Sequence, residues 1–299
     1  MTLRALTLAA TRVSSQRRAL DFLVLTKPRV VLMVLVTTSV GFHVGSVGPA
    51  DPLCLLHALV GTGLAAAGSL ALNQWLERDV DGLMERTRRR PLPDKRLQPK
   101  DALRFGLALT LGGPTYLGLT ISWLSALLVA VTAASYLLAY TPLKRHSSLC
   151  TVFGAIPGAL PPVTGWVAAR GEFGVGAWVL FGIVFLWQLP HTLAIASVYR
   201  RDYARADLRM LPVVDPDGGS TGRQVVVNCL ALLAVGLLPT LVGMTGLVYF
   251  VGALSLGSVM LVCGLGLAAT RSAGNARRLL FASLVYLPAL FVLMAVDKF

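Results

Sequence analysis

Nine stretches of this chain are apolar and about 20 residues long, enough to cross roughly 30 Å of hydrocarbon. They lie at residues 30–49, 54–76, 102–120, 123–141, 150–168, 174–197, 224–243, 247–268 and 279–296. Backbone groups in lipid must find partners within their own segment, so each stretch is expected to be a helix and the fold an all-α, nine-helix membrane bundle. A composition of 55% hydrophobic and 14% charged residues, with mean hydropathy +0.70, excludes an ordinary soluble domain.

Charge placement tests that reading, because Lys and Arg accumulate in cytoplasmic loops. With the N-terminus inside, every one of the 27 basic residues except Arg170 and Lys298 falls on the inner side. A wrong helix count would scramble this alternation. The net charge of +13 sits in short juxtamembrane loops, which points to anionic headgroups and a phosphorylated substrate and away from nucleic acid. Cys54, Cys150, Cys229 and Cys263 are isolated within apolar runs, so neither a disulfide, a zinc site nor covalent haem attachment is expected. Residues 1–20 are basic and free of acids; they read as a cytoplasmic tail ahead of a single transmembrane domain over 21–299, with a loose likeness to an organelle transit peptide.

The outside turns, Thr120 to Trp123 and Met244 to Gly246, expose almost nothing, so the working surface must face inward. The longest inner segments, 77–101 and 199–223, each extend a helix and then meet prolines (Pro91 and Pro93; Pro212 and Pro216), a parallel that hints at an internal duplication.

At the inner end of the second stretch stands Asn73-Gln-Trp-Leu-Glu-Arg-Asp-Val-Asp81. Residues four apart share a helix face, so Asn73, Glu77 and Asp81 form a stripe about 12 Å long, with Asp79 pointing roughly opposite Glu77. Carboxylates at this depth need a reason. One is a solvated helix end whose acids pair with Arg78, Arg86 and Arg88; the other is a Mg²⁺ site of hard oxygen ligands completed by water and substrate phosphate. The neighbouring Arg86-Thr-Arg-Arg-Arg90-Pro-Leu-Pro93 and Tyr140-Thr-Pro-Leu-Lys-Arg145 favour the second, since acids beside dense basic residues suit a metal-diphosphate ligand.

The Asn-x-x-x-Glu-x-x-x-Asp pattern resembles the first Asp-rich motif of the UbiA-type intramembrane prenyltransferases. Leu25-Thr-Lys-Pro-Arg-Val30, Gly154-Ala-Ile-Pro-Gly-Ala-Leu-Pro-Pro162, Trp187-Gln-Leu-Pro-His191, Asp202-Tyr-Ala-Arg-Ala206 and Met210-Leu-Pro-Val-Val214 are similar to segments of one branch, the protohaem IX farnesyltransferases or haem O synthases. The likeness covers about residues 20–214. Glu77 stands where many prenyltransferases have Asp, and the second motif is reduced to Asp202-x-x-x-Ala206-Asp207, a form the haem O synthases share.

The resemblance implies a Mg²⁺-dependent enzyme that joins the farnesyl group of farnesyl diphosphate, with water, to a vinyl group of haem B, in a bacterial inner membrane in preference to a mitochondrial one. Haem O would serve terminal oxidases, with haem A synthase or oxidase assembly factors as candidate partners. It implies Asn73, Glu77 and Asp81 as first-site metal or diphosphate ligands and Asp202 as the second-site ligand. Arg86, Arg90, Lys144 and Arg145 would hold diphosphate. His191 would contact haem iron or a propionate, unless it is a packing histidine. Tyr140 and Tyr203 would contact substrate, Trp187 and Tyr199 would line the same pocket or anchor the interface, and Lys27 and Arg29 would anchor the first span. A UbiA-type enzyme with a phenolic or chlorophyllide acceptor, or a cation-coupled transporter, are the competing readings.

Overall fold

The computed structural model describes residues 17–299; the rest of the expected basic tail lies outside the described residues. Their regular structure is helical, apart from an isolated antiparallel bridge between Thr245 and Lys298. The elements run α1 (17–25), α2 (Pro28–Gly45), α3 (Pro52–Leu76), α4 (Arg78–Asp81), α5 (Pro99–Thr120) and α6 (Trp123–Ala134). A π-helical segment (Ser135–Tyr140) carries α6 into α7 (Thr141–His146) as one rod. There follow α8 (Cys150–Arg170), α9 (Val175–Val198), α10 (Arg200–Arg205), α11 (Leu211–Val214), α12 (Gly219–Gly236), α13 (Leu238–Leu241), α14 (Leu247–Thr270) and α15 (Ala273–Val296).

Local chemistry sets the boundaries. Proline occupies the first turn of α2, α3 and α5, where its missing N–H costs nothing. Asp51 caps α3 by accepting from the N–H groups of Leu53 and Cys54, and Ser122 and Ser272 cap α6 and α15. Among the described residues, eight helical segments are long and apolar enough to cross a membrane. The remaining expected span, 102–120, is α5 (Pro99–Thr120), long enough at 22 residues, but Lys100, Asp101, Arg104 and a Gly112-Gly-Pro-Thr115 run leave it too polar to count on hydropathy alone.

Small residues bring the helices together, as lipid-embedded packing requires. A Cβ on Gly41 would lie 1.9 Å from the Pro162 carbonyl oxygen and one on Gly165 would lie 1.9 Å from that of Thr38, so α2 and α8 touch backbone to backbone. Gly68 and Gly113 play the same part between α3 and α5. The largest buried cluster joins α8, α9, α12, α14 and α15 around Ile183, Leu232, Tyr249, Met260 and Tyr286. The two long inner segments start alike: α3 and α9 break at Glu77 (φ −95°, ψ 7°) and Tyr199 (φ −102°, ψ 24°), and each chain restarts as a short helix.

Gly41→Val should therefore lower stability by about 1–3 kcal/mol or more through overpacking. Gly112→Ala, which meets nothing within 4 Å, should be neutral or stabilise α5 slightly; thermal unfolding in detergent would compare the two.

Candidate active site

The stripe expected on α3 survives the helix break. Glu77 donates its N–H to the Asn73 carbonyl (2.9 Å) and accepts from the Asp81 N–H (2.7 Å), so the three residues stay in register across the junction of α3 and α4. Asn73 and Asp81 are each 1% exposed, whereas the Asp79 side chain is 83% exposed and points away, as the helical spacing predicts.

Each member of the stripe has a partner from a distant part of the chain. Asn73 Oδ1 accepts from Lys27 Nζ at 3.1 Å, and its Nδ2 donates to Thr141 Oγ1 at 3.2 Å. Glu77 Oε1 accepts from Lys144 Nζ at 2.8 Å. Asp81 Oδ2 accepts from Arg90 at 2.7 Å, while the Asp81 carbonyl takes the Thr87 hydroxyl at 2.8 Å. Burial alone would raise the Glu77 pKa, but the Lys144 ammonium, then Lys27, hold the carboxyl below its ordinary value. Burial, reinforced by the Arg90 and Lys144 charges, pushes Lys27 down to about 7. Lys144 also lies 4.3 Å from the centre of the Tyr140 ring, a cation–π contact.

Lys27 is the residue that sequence reasoning misplaced. It was expected to anchor the first span; instead it stands between α1 and Pro28 at φ 49°, an uncommon conformation for a side-chain-bearing residue, and reaches into the cluster. Gln74 pins the α1 end by donating to the Val24 and Leu25 carbonyls. Thr141, also unforeseen, bridges Asn73 to the Tyr136 carbonyl (2.8 Å) across the π-helical segment. The signal for both was present in the Leu-Thr-Lys-Pro-Arg and Tyr-Thr-Pro-Leu-Lys-Arg stretches.

Other expected residues are placed differently. Arg86 is exposed and stacks 5.4 Å over the Tyr199 ring, joining the two inner segments. Arg145 is exposed and makes no ion pair among the described residues, so of that adjacent pair Lys144 alone enters the cluster. Asp202 pairs with Arg205 of its own helix at 3.4 Å and forms no bond to the stripe. Packing of Val80 and Met84 against Tyr203, Ala206 and Leu208 brings its segment alongside. His191 meets α15: Nδ1 lies 2.7 Å from Ser283 Oγ and the ring stacks on Trp187 at 4.7 Å, so its visible contacts are those of a packed, hydrogen-bonded histidine.

Deeper along the same helices lies a cavity of about 260 Å³ between α2, α3, the α6 rod, α8 and α9. Ser69 and Leu70, one turn before Asn73, line its end together with Tyr136 and Tyr140; Val30, Val34, Val129 and Ala133 make much of its wall apolar. Gly154 and Gly158 leave room for the Tyr140 ring and the Gln188 amide on that wall. An anionic head could thus be held at the polar cluster with an apolar tail behind it.

Among the described residues no group of three His, Cys, Asp or Glu side chains converges closely enough to hold a metal alone. Mg²⁺ takes one or two carboxylates and draws its other oxygens from water and substrate phosphate, so Glu77, Asp81 and the Asn73 amide oxygen fit it as a donor set.

These features define a membrane-embedded site for an amphiphilic anion, and comparison with known proteins agrees. The profile of the UbiA prenyltransferase family matches residues 34–285, and the chain belongs to that family. Among curated proteins it is 48% identical to protoheme IX farnesyltransferase of Solibacter usitatus over 287 residues, covering 93% of this chain and 98% of that one. It is 43% identical to the enzyme of the same name from Koribacter versatilis, with 93% of each chain covered. Of solved structures, a digeranylgeranylglyceryl phosphate synthase superposes with TM-score 0.80 at 14% identity, over 94% of this chain and 98% of that one. A UbiA homologue from Archaeoglobus fulgidus bound to DMAPP and Mg²⁺ gives 0.67 at 15%, over 92% and 99%. The chain is thus an enzyme of the prenyltransferase class, built as a multi-pass membrane protein.

Lys144→Met would strand the Glu77 carboxylate in a site where it is 14% exposed. It should cost about 3 kcal/mol, and adding Glu77→Gln should recover most of that loss, as read from denaturant unfolding of the single and double variants in detergent.

Proposed function

We propose that this protein transfers the farnesyl group of farnesyl diphosphate, together with water, to a vinyl group of haem B, giving a hydroxyethylfarnesyl porphyrin. The observation that carries the reading is the arrangement of Asn73, Glu77 and Asp81 with Lys27, Arg90 and Lys144 one helical turn beyond a largely apolar cavity. Its curated relatives supply the acceptor and the chain length of the donor.

In this mechanism the diphosphate sits against Lys27, Lys144 and Arg90, whose donors neutralise the charge that gathers on the leaving oxygens. Bound Mg²⁺, held by Glu77, Asp81 and the Asn73 oxygen, would supply Lewis-acid stabilisation of the same charge. The allylic carbon–oxygen bond breaks and its electron pair departs with the diphosphate. The vinyl π pair then bonds to the allylic carbon, water adds to the porphyrin-side carbon, and a proton is released. Val34, Val129 and Ala133 keep water from the allylic chain, while Tyr136 and Tyr140 face its reacting end. Arg86, exposed and stacked on Tyr199, meets the diphosphate as it enters.

The same reading places one domain over 21–299 in a bacterial inner membrane, spanning nine times with the N-terminus and the site on the cytoplasmic side. The near-exclusive placement of Lys and Arg in alternate loops supports it. Product would pass to haem A synthase or to terminal-oxidase assembly.

Purified protein incubated with farnesyl diphosphate, haem B and Mg²⁺ should yield the hydroxyethylfarnesyl product by mass spectrometry and release pyrophosphate. Asp81→Asn should reduce turnover at least 100-fold while leaving the protein folded. Prenylation of a phenolic acid in place of haem would overturn the assignment of acceptor, and near-normal turnover by Asp81→Asn would remove that residue from the site.

A further inference from the structure

A second cavity, also about 260 Å³, opens between the start of α8, the late part of α9 and the first half of α12. Leu189 and Leu193 form its buried, apolar floor, Leu149 and Val152 an exposed apolar edge, and Arg223, Gln224 and Asn228 its polar side. Arg223 is exposed and makes no ion pair with any described carboxylate; its one side-chain bond is a long one, 3.4 Å, to Ser220 Oγ. A cation without a counter-ion above an apolar floor suits an amphiphile that carries carboxylates.

Thr151 connects this cavity to the central one. It lines both, is 6% exposed, and among the described residues its Oγ1 has no hydrogen-bond partner. It also sits at the right end of the central cavity: Tyr140, which shares that wall, contacts the Lys144 that holds Glu77. The two cavities therefore adjoin beside the place where the reacting carbon of a prenyl diphosphate would lie.

We propose that the α8–α9–α12 cavity is the berth of the porphyrin acceptor, with a carboxylate held at Arg223 and the opposite, vinyl-bearing edge directed past Thr151 toward the central cavity. This rests on the prenyl-transfer reading above. Haem carries its two carboxylates on one edge and its vinyl groups away from them, so an anchor at the rim presents the reactive edge inward. A berth on the α12 side also lets acceptor and diphosphate enter by separate routes, since the cations for diphosphate come from the turn between α1 and α2, the loop after α4, and α7.

The test is a haem titration in detergent, followed at the Soret band, with steady-state KM values for haem B and for farnesyl diphosphate. Arg223→Glu and Val152→Trp, the latter filling the cavity from a 41%-exposed position, should each weaken haem binding and raise its KM at least tenfold, leaving the KM for farnesyl diphosphate within twofold. Haem dimethyl ester should bind wild type as weakly as haem binds Arg223→Glu. Unchanged haem binding and KM in both variants would overturn the proposal. So would an effect confined to co-purified anionic phospholipid, which would make the occupant a lipid. Failure of wild type to farnesylate any haem, with haem binding still sensitive to Arg223, would refute the enzymatic reading and spare the berth.

Discussion

Two carboxylates and an amide lie largely removed from water at the junction of α3 and α4, and much of the surrounding structure is arranged to make that tolerable. Glu77 and Asp81 are almost removed from water, where an unpaired carboxylate would cost several kcal/mol or lose its charge. Their cations come from the loop after α4 and from the far end of the α6 rod, and Asn73 is tied to a third cation before α2. Three chain segments separated by dozens of residues are thus fixed by one need for charge balance. The left-handed backbone at Lys27 and the π-helical segment before Thr141 both serve this convergence.

Such a cluster is a liability for stability and an asset for binding a diphosphate. The groups that neutralise Glu77 and Asp81 are donors suited to phosphate oxygens, so an arriving ligand exchanges partners within a preorganised set of charges. Immediately behind them the lining turns apolar within one helical turn, from Asn73 to Ser69 and Leu70 and then to alanines and valines. Close packing of α2 on α8 and α3 on α5 through glycine encloses that space without large side chains to fill it.

The second inner segment works by contact with the first. Tyr203, Ala206 and Leu208 pack on Val80 and Met84, Arg86 stacks on Tyr199, and the Arg209 N–H donates to the Lys144 carbonyl. Asp202 lies close by in the fold yet answers to Arg205, which matches the reduced form of its motif.

Helical character, the membrane class and the Asn73–Glu77–Asp81 face were legible in the chain because each follows from local periodicity: about 20 apolar residues, or a spacing of four. Proline and Asp51 marked helix starts for equally local reasons. Which basic residues would enter the site was not legible. Every juxtamembrane Lys or Arg already has a sufficient reason to exist in topology, so Lys27 looked like an anchor and Arg145 looked equal to Lys144. Only the rotation of α7 against α3 turns Lys144 inward and Arg145 out, and only the turn before Pro28 carries Lys27 to Asn73. His191 and the cavity beside Arg223 depend likewise on which faces of α9, α12 and α15 meet. Sequence determined the elements and the acids because their signals are short-range; tertiary structure decided the counter-charges and cavities because those depend on contacts between helices far apart in the chain.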